Sequence, residues 1–377
     1  INGNLRLGFI NQNDIGDPDN YSAKNIVVRN ISFADSFDMF PSWDPKDSFS
    51  ITLTNTGGCQ AVFDEATDSG PHKCPTRRGG RWNSEYDNLS VMNAERVWID
   101  HNSFSDAPRF DTQFPPVFGA PFNETTQKVQ HHDGSVDVTL LATKVTISQN
   151  YFFRHDKTNL LGGSDFANLV PDYGPGKIDV TFHGNYYQNM IQRAPRVRFG
   201  RVHAYNNFFD VERRTTLPGN VAVEYRLGDP WATGTAGKLY TENNLFEIRN
   251  NNLTIPRIIN YASTVANRDL CVGVGYAPQD CGTYYGNTGT WITMIAINSA
   301  GTVTGTSTTL FDTFAALKAI QESSAANTPL LKLDPADPAV FWLPSQSYGY
   351  VPMPVSTPEE RAALRSSIIA GAGAGKL

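Results

Sequence analysis

The chain has no run of apolar residues near the roughly 20 needed to span a bilayer as a helix, no excess of positive charge, and only four cysteines, none in a CxxC pair. The first absence argues against a helical membrane protein. The second is a balance of 31 Lys and Arg against 37 Asp and Glu, a net charge of −6. It excludes broad attraction to nucleic acid or an anionic membrane, so any anionic ligand must be held locally. The third removes thioredoxin-like redox chemistry and cysteine-rich zinc sites. An HExxH motif is also missing, and the adjacent His131 and His132 offer poor ligand geometry for zinc. The tail from Gly371 to Lys376 lacks both the glycine spacing and the Ser/Thr of a phosphate loop.

The cysteines that are present bracket two short loops, Cys59 with Cys74 and Cys271 with Cys281. An even count at such spacing predicts two local disulfides and an oxidising, secreted setting. No leader segment is visible and Ile1 is not an initiator methionine, so an upstream segment is expected to have been removed or omitted. Asn88-Leu89-Ser90, Asn123-Glu124-Thr125 and Asn252-Leu253-Thr254 fit glycosylation sequons.

An internal repeat emerges when six apolar segments are aligned on Ile26, Val97, Val145, Val180, Val202 and Leu239. Seven residues on, each has an aromatic: Phe33, Phe104, Phe152, Tyr187, Phe209 and Phe246. Five residues in, the first segment has Ile31 and the others have Asn102, Asn150, Asn185, Asn207 and Asn244. The shortest interval, Asn185 to Asn207, is 22 residues. Alternating runs such as Val145-Thr146-Ile147-Ser148 read as strands, and a period near 20 residues with variable insertions is the signature of a solenoid. The fold expected is all-β: a single-domain right-handed parallel β-helix with long loops over residues 1–377, its coils covering about 1–309. The aromatics should stack inside the bore and the asparagines should bond along one bend, which makes both sets structural. Residues 255–309 should complete further coils. Two helices are expected in the C-terminal segment (about 310–377), over 310–323 and over 358–370, the second announced by Ser356-Thr357 and by Glu359 and Glu360. This tail should pack against the coils.

Against that frame of strands, Arg193, Arg196 and Arg198 place three guanidinium groups in six residues of an acidic chain. Guanidinium forks grip carboxylates in bidentate fashion, so the run suggests a site for a polycarboxylate, although a basic strand edge would look the same. Asp106 lies four residues past Asn102, Lys157 seven past Asn150 and Arg193 eight past Asn185. Stacked coils would bring these to one side of the solenoid, with Asp133 and Asp137 at the close of the long loop 107–130 facing the same groove. Converging carboxylates repel one another unless a cation lies between them, and hard oxygen donors favour Ca²⁺ or Mg²⁺.

Four blocks in one order, 97–106, 132–137, 155–158 and 193–200, resemble those of the polysaccharide lyase family that holds pectate and pectin lyases. The resemblance runs from about Asn25 to Phe209. It implies a secreted, monomeric, calcium-dependent enzyme whose partner is polygalacturonate, with no nucleic-acid or membrane partner. It also implies that Asp106, Asp133 and Asp137 hold calcium and that Lys157, Arg193 and Arg198 act on substrate, Arg193 as the base and Arg196 only structural. Members of that family carry earlier coils and a capping helix, which places the N-terminus of this chain inside the expected fold. The alternatives are a pectin lyase on esterified polymer, which loses the metal carboxylates, a glycoside hydrolase, which would leave the arginines without a purpose, and a non-catalytic polysaccharide-binding solenoid.

Overall fold

The computed structural model describes residues 1–9, 21–44, 81–110, 113, 130–164, 177–261, 265–278, 280–311, 331–332 and 351–377. Short strands recur in threes, and each member of a triplet joins a different sheet. The first sheet runs through Leu5–Leu7, Leu89–Met92, Val136–Thr139, Leu160–Leu161, Arg196–Val197, Trp231–Thr233 and Ile259–Tyr261. The second contains Ala23–Arg29, Ala94–Asp100, Thr143–Ser148, Ile178–His183, Gly200–Tyr205, Lys238–Glu242, Thr283–Thr288 and Leu331–Lys332, and the third Ser32–Ala34 through Trp291–Ile297. Within these three sheets every pairing is parallel but one, so the architecture is a parallel β-helix.

The register matches the repeat read from sequence. Ile26, Val97, Val145, Val180, Val202 and Leu239 are successive partners in the second sheet. The aromatics seven residues later stack with centroids 5.0 Å apart for Phe33–Phe104, 4.9 Å for Phe152–Tyr187 and 4.2 Å for Phe209–Phe246. They lie in one core with the inward aliphatics of all three sheets. At the bend between the second and third sheets, Asn185 Nδ2 donates to Ile147 O at 2.8 Å and to Asn207 Oδ1 at 2.9 Å, while its own Oδ1 accepts from Asn150 N at 3.0 Å. Asn102, Asn150, Asn207 and Asn244 repeat the pattern, and Ile31 N closes the ladder on Asn102 Oδ1. Removing one rung orphans several buried groups. We therefore expect Asn185→Ala to lower stability by about 3 kcal/mol, read by denaturant unfolding.

The C-terminal region departs from simple repetition. A helix, Val265–Gly273, interrupts the last coil, and the Cys271–Cys281 disulfide pins it over Phe199 and Ala236. Cys59 and Cys74 lie outside the described residues. Val303–Leu310 does not begin another coil but turns back antiparallel on Trp291–Ile297. The reason is local: Asn298 Oδ1 accepts from Ala300 N and Thr302 N, and Gly301 takes a φ of +86°, closing a tight turn. The helix expected over 310–323 falls outside the described residues apart from Leu310 and Phe311, and Leu310 ends this strand. The helix Pro358–Gly371 is present, with a capping box between Thr357 and Glu360. It covers the outer face of the third sheet at Phe208 and Leu245, and the glycine tail beyond it returns to the early coils through Ala374 N on Ser103 Oγ and Gly375 N on Asn30 Oδ1. Among the described residues no helix is long and apolar enough to cross a membrane. Of the sequons, Asn88 is buried and Asn252 is exposed.

His183 on the second sheet stacks on Tyr205 at 5.0 Å. Burial, with some help from His203, lowers its pKa to about 4 against the pull of Asp100. The folded state thus resists a proton that the unfolded chain takes near 6.5, so stability present above pH 6.5 is lost as pH falls toward 4, by up to about 3 kcal/mol. His183→Phe keeps the stack and should flatten this part of the melting-temperature profile.

Candidate active site

The candidate residues gather where the third sheet turns into the first. Lys157 ends the strand Tyr151–Lys157, is 4 % exposed, and forms an ion pair with Asp133. Asp137 lies on the strand Val136–Thr139, between two inward valines, with its side chain on the outer column of the first sheet. Leu160 N donates to its Oδ1 at 3.0 Å. Arg193 takes a left-handed φ of +61° at the corresponding turn one coil later, and its carbonyl accepts from Asn159 N. Arg198 is 9 % exposed and donates from Nη1 to Gly162 O at 3.0 Å. Gly162 has a φ of +80°, and a Cβ there would stand 2.6 Å from Arg198 O, so the close approach that seats this arginine needs glycine. Arg196 is where the sequence put it, in a strand, and its register continues the column of Asp137 and Leu160.

The carboxylates divide differently from the sequence expectation. Asp137 feels the charge not only of Asp133 but of Asp87, a residue the motifs did not indicate. Burial, then the charges of Asp87 and Asp133, push Asp137 well above the usual carboxylate range, with Arg193 pulling the other way. Burial and Asp133 likewise raise Asp87 to about 6, although Ser90 and the Gly134 N–H hold its oxygens at 2.6 and 2.9 Å. Asp106 has separate partners. It is 1 % exposed, bonded through Oδ1 to His155 Nδ1, and its Oδ2 accepts from Tyr225 at 3.0 Å. Burial alone would lower the His155 pKa, but the charge and hydrogen bond of Asp106 outweigh it and raise it. Among the described residues no three His, Cys, Asp or Glu side chains stand in an arrangement that could hold a metal ion.

Asp87 was missed because it belongs to no motif and lies 46 residues before Asp133 in sequence. The pairing of Leu89 with Val136 is what sets it beside Gly134. Tyr225 was missed for the same reason. The only signal in sequence was that Asp87 precedes an apolar run by two residues, as Gly134 does.

Asp87 and Asp137, held above the usual carboxylate range first by burial and then by neighbouring acids, offer oxygen atoms of the kind that suit Ca²⁺. Lys157 pairs with Asp133, and the charge of Arg193 acts on Asp137 from the next coil, so cationic and acidic side chains meet at this corner.

Comparison with known proteins agrees with this geometry. The family model described as pectate lyase matches residues 69–269. A pectate lyase of Bacillus subtilis is 35% identical over 224 residues, 59% of this chain and 42% of that protein. Pectate lyase E of Dickeya dadantii is 37% identical over 185 residues, 48% of this chain and 40% of its own. The chain thus spans less than half the length of these curated relatives. Among solved structures, a pectate lyase from Acidovorax avenae subsp citrulli superposes with a TM-score of 0.68 at 33% identity, covering 100% of this chain and 62% of that one. A pectate lyase bound to a hexasaccharide gives 0.58 at 27% identity, over 100% and 64%. With the solenoid register and a family match over more than half its length, the chain belongs to the pectate lyase family.

Proposed function

We propose that this protein is a secreted lyase that cleaves de-esterified α-1,4-polygalacturonate by β-elimination and depends on calcium. The single observation that carries this reading is the ion pair of Lys157 with Asp133 beside Asp137, a buried carboxyl that feels the charges of Asp133 and of Arg193 one coil later. A glycoside hydrolase needs a carboxylate pair and leaves these cations idle; a pectin lyase has no use for the acids. Calcium would be held by Asp133 and Asp137, with Asp106 as the third acid on the family pattern and Asp87 adjoining. When bound, it would neutralise the substrate carboxylate and acidify the proton on C5.

The remaining work falls to this chain's own groups. Lys157 and Arg198 donate charge-assisted hydrogen bonds to the uronate carboxylate, where negative charge grows as C5 loses its proton. Arg193, in its neutral guanidine form, takes that proton. The C5–H electron pair becomes the C4–C5 double bond, the C4–O bond breaks, and the leaving oxygen is protonated by solvent. His155 and Tyr225 fix the orientation of Asp106, as outer hydrogen bonds do for metal-binding carboxylates. The Cys271–Cys281 disulfide fits an oxidising, extracellular setting.

The test is turnover of polygalacturonate against methyl-esterified pectin, followed by ultraviolet absorbance of the conjugated double bond. Polygalacturonate should be the better substrate. Reducing ends released without that absorbance would indicate hydrolysis and refute elimination, and binding with no bond cleavage would reduce the protein to a polysaccharide-binding solenoid.

A further inference from the structure

The outer face of the second sheet is separate from the catalytic corner, and its register places two unlike columns side by side along the solenoid axis. One is Asn25, Arg96, Lys144, Asp179, Arg201 and Lys238, successive positions in adjacent strands. The other is Val27, Trp98, Thr146, Thr181, His203 and Tyr240. The first has four cations and one carboxylate; Glu95, which pairs with Arg96 at 2.7 Å and Lys144 at 2.6 Å, is the second acid nearby. Arg201 is held in bidentate fashion by Asp179 at 2.8 and 2.9 Å, so Arg96, Lys144 and Lys238 are the cations of this column with the most charge to offer a ligand, in a chain whose net charge is −6.

Arg96 and Lys144 are presented outward. Asn25, Arg96 and Lys144 share left-handed φ values of 57°, 58° and 54°, a stacked kink that lifts their side chains from the sheet, and the Arg96 and Lys144 side chains are 48% and 55% exposed. Beside them Trp98 is 41% exposed, an unusual position for indole on a solvated sheet. Its ring is held in place: Nε1 donates to Ser148 Oγ at 2.8 Å and the Arg29 guanidinium lies 5.5 Å from its centroid. A groove of about 600 Å³ runs between the columns, lined by Arg96, Trp98, Lys144, Thr146, Asp179 and Thr181.

We infer that this groove is a second, non-catalytic binding track for an extended anionic polysaccharide, a 1,4-linked polyuronate. Neighbouring strands lie about 4.8 Å apart, close to the rise of one sugar in such a chain, so successive residues meet successive coils. Carboxylates face the cation column, a sugar ring lies on the Trp98 face, and Thr146 and Thr181 meet the hydroxyls. A long polymer could thereby stay bound to one face while another section is cut at the catalytic corner. The identity of the polymer rests on the function proposed above; the existence of the track rests on the columns.

The full chain, wild type, Trp98→Ala and Lys144→Glu, is compared in two assays: retention by immobilised polygalacturonate or esterified pectin, and kcat/KM on a short galacturonate oligomer and on long polymer. Both variants should bind polygalacturonate about fivefold to tenfold more weakly, with short-oligomer kcat/KM unchanged, and esterified pectin should be retained less than polygalacturonate by the wild type. Wild-type retention by both variants would overturn the track. Equal losses on short and long substrates would also overturn it, by placing the effect at the catalytic corner, and equal wild-type retention of esterified pectin would overturn its anionic specificity. Failure of the wild type to cleave polygalacturonate at all would instead strike the proposed function.

Discussion

Arg193→Lys should lower kcat on polygalacturonate by at least about 10³ while leaving calcium and polymer binding in place. The expectation follows from what each cation can do. In the proposed mechanism Arg193 takes the C5 proton as a neutral guanidine held in one orientation, and lysine would supply a point charge on a flexible stem in place of that planar fork. A lost general base together with lost alignment accounts for a factor of this size. Binding should persist because Asp133, Asp137 and Lys157 remain, and Lys157 already has its partner in Asp133. The measurement is initial rate by ultraviolet absorbance, alongside calcium titration monitored by thermal shift. A variant with most of the wild-type turnover would assign the proton to another group.

Removal of calcium should abolish turnover, and Asp137→Ala should do so at any attainable calcium concentration. Asp137 is the acid most pressed by its surroundings, buried and facing Asp87 and Asp133. Relief of that repulsion is what a bound divalent cation would contribute. Two readouts separate the metal from the chemistry. Excess chelator should eliminate the ultraviolet signal, and re-addition of calcium should restore it. Calcium should also raise the melting temperature of the wild type, as a ligand bound only by the folded state must, and this rise should disappear in Asp137→Ala. Full activity in chelator would remove the metal from the reaction, and a wild-type calcium response in Asp137→Ala would move the site away from this strand.

Much of the molecule was legible in the order of residues. The columns beginning at Ile26, Phe33 and Asn102 could be read because a solenoid gives each coil the same environment, so aromatic and amide positions repeat with the coil. The helix 358–371 was legible through its capping box, and the pairing of Cys271 with Cys281 through its short spacing. That Lys157 and Arg193 follow the same bend on successive coils was legible from their spacing to Asn150 and Asn185.

Other features depend on contacts between distant segments. The strand Val303–Leu310 reverses direction because of an asparagine turn that outweighs the expectation of another coil. Asp87 joins Asp133 and Asp137 through strand register alone, and Asp106 is drawn into a network with His155 and Tyr225, the latter 119 residues away. The sequence by itself determined the repeat and the class of fold, since each follows from local pattern and fixed spacing. The tertiary structure decided which carboxylates feel one another and which columns lie side by side on the second sheet, because charge coupling and groove shape depend on separations across coils whose intervening loops differ in length.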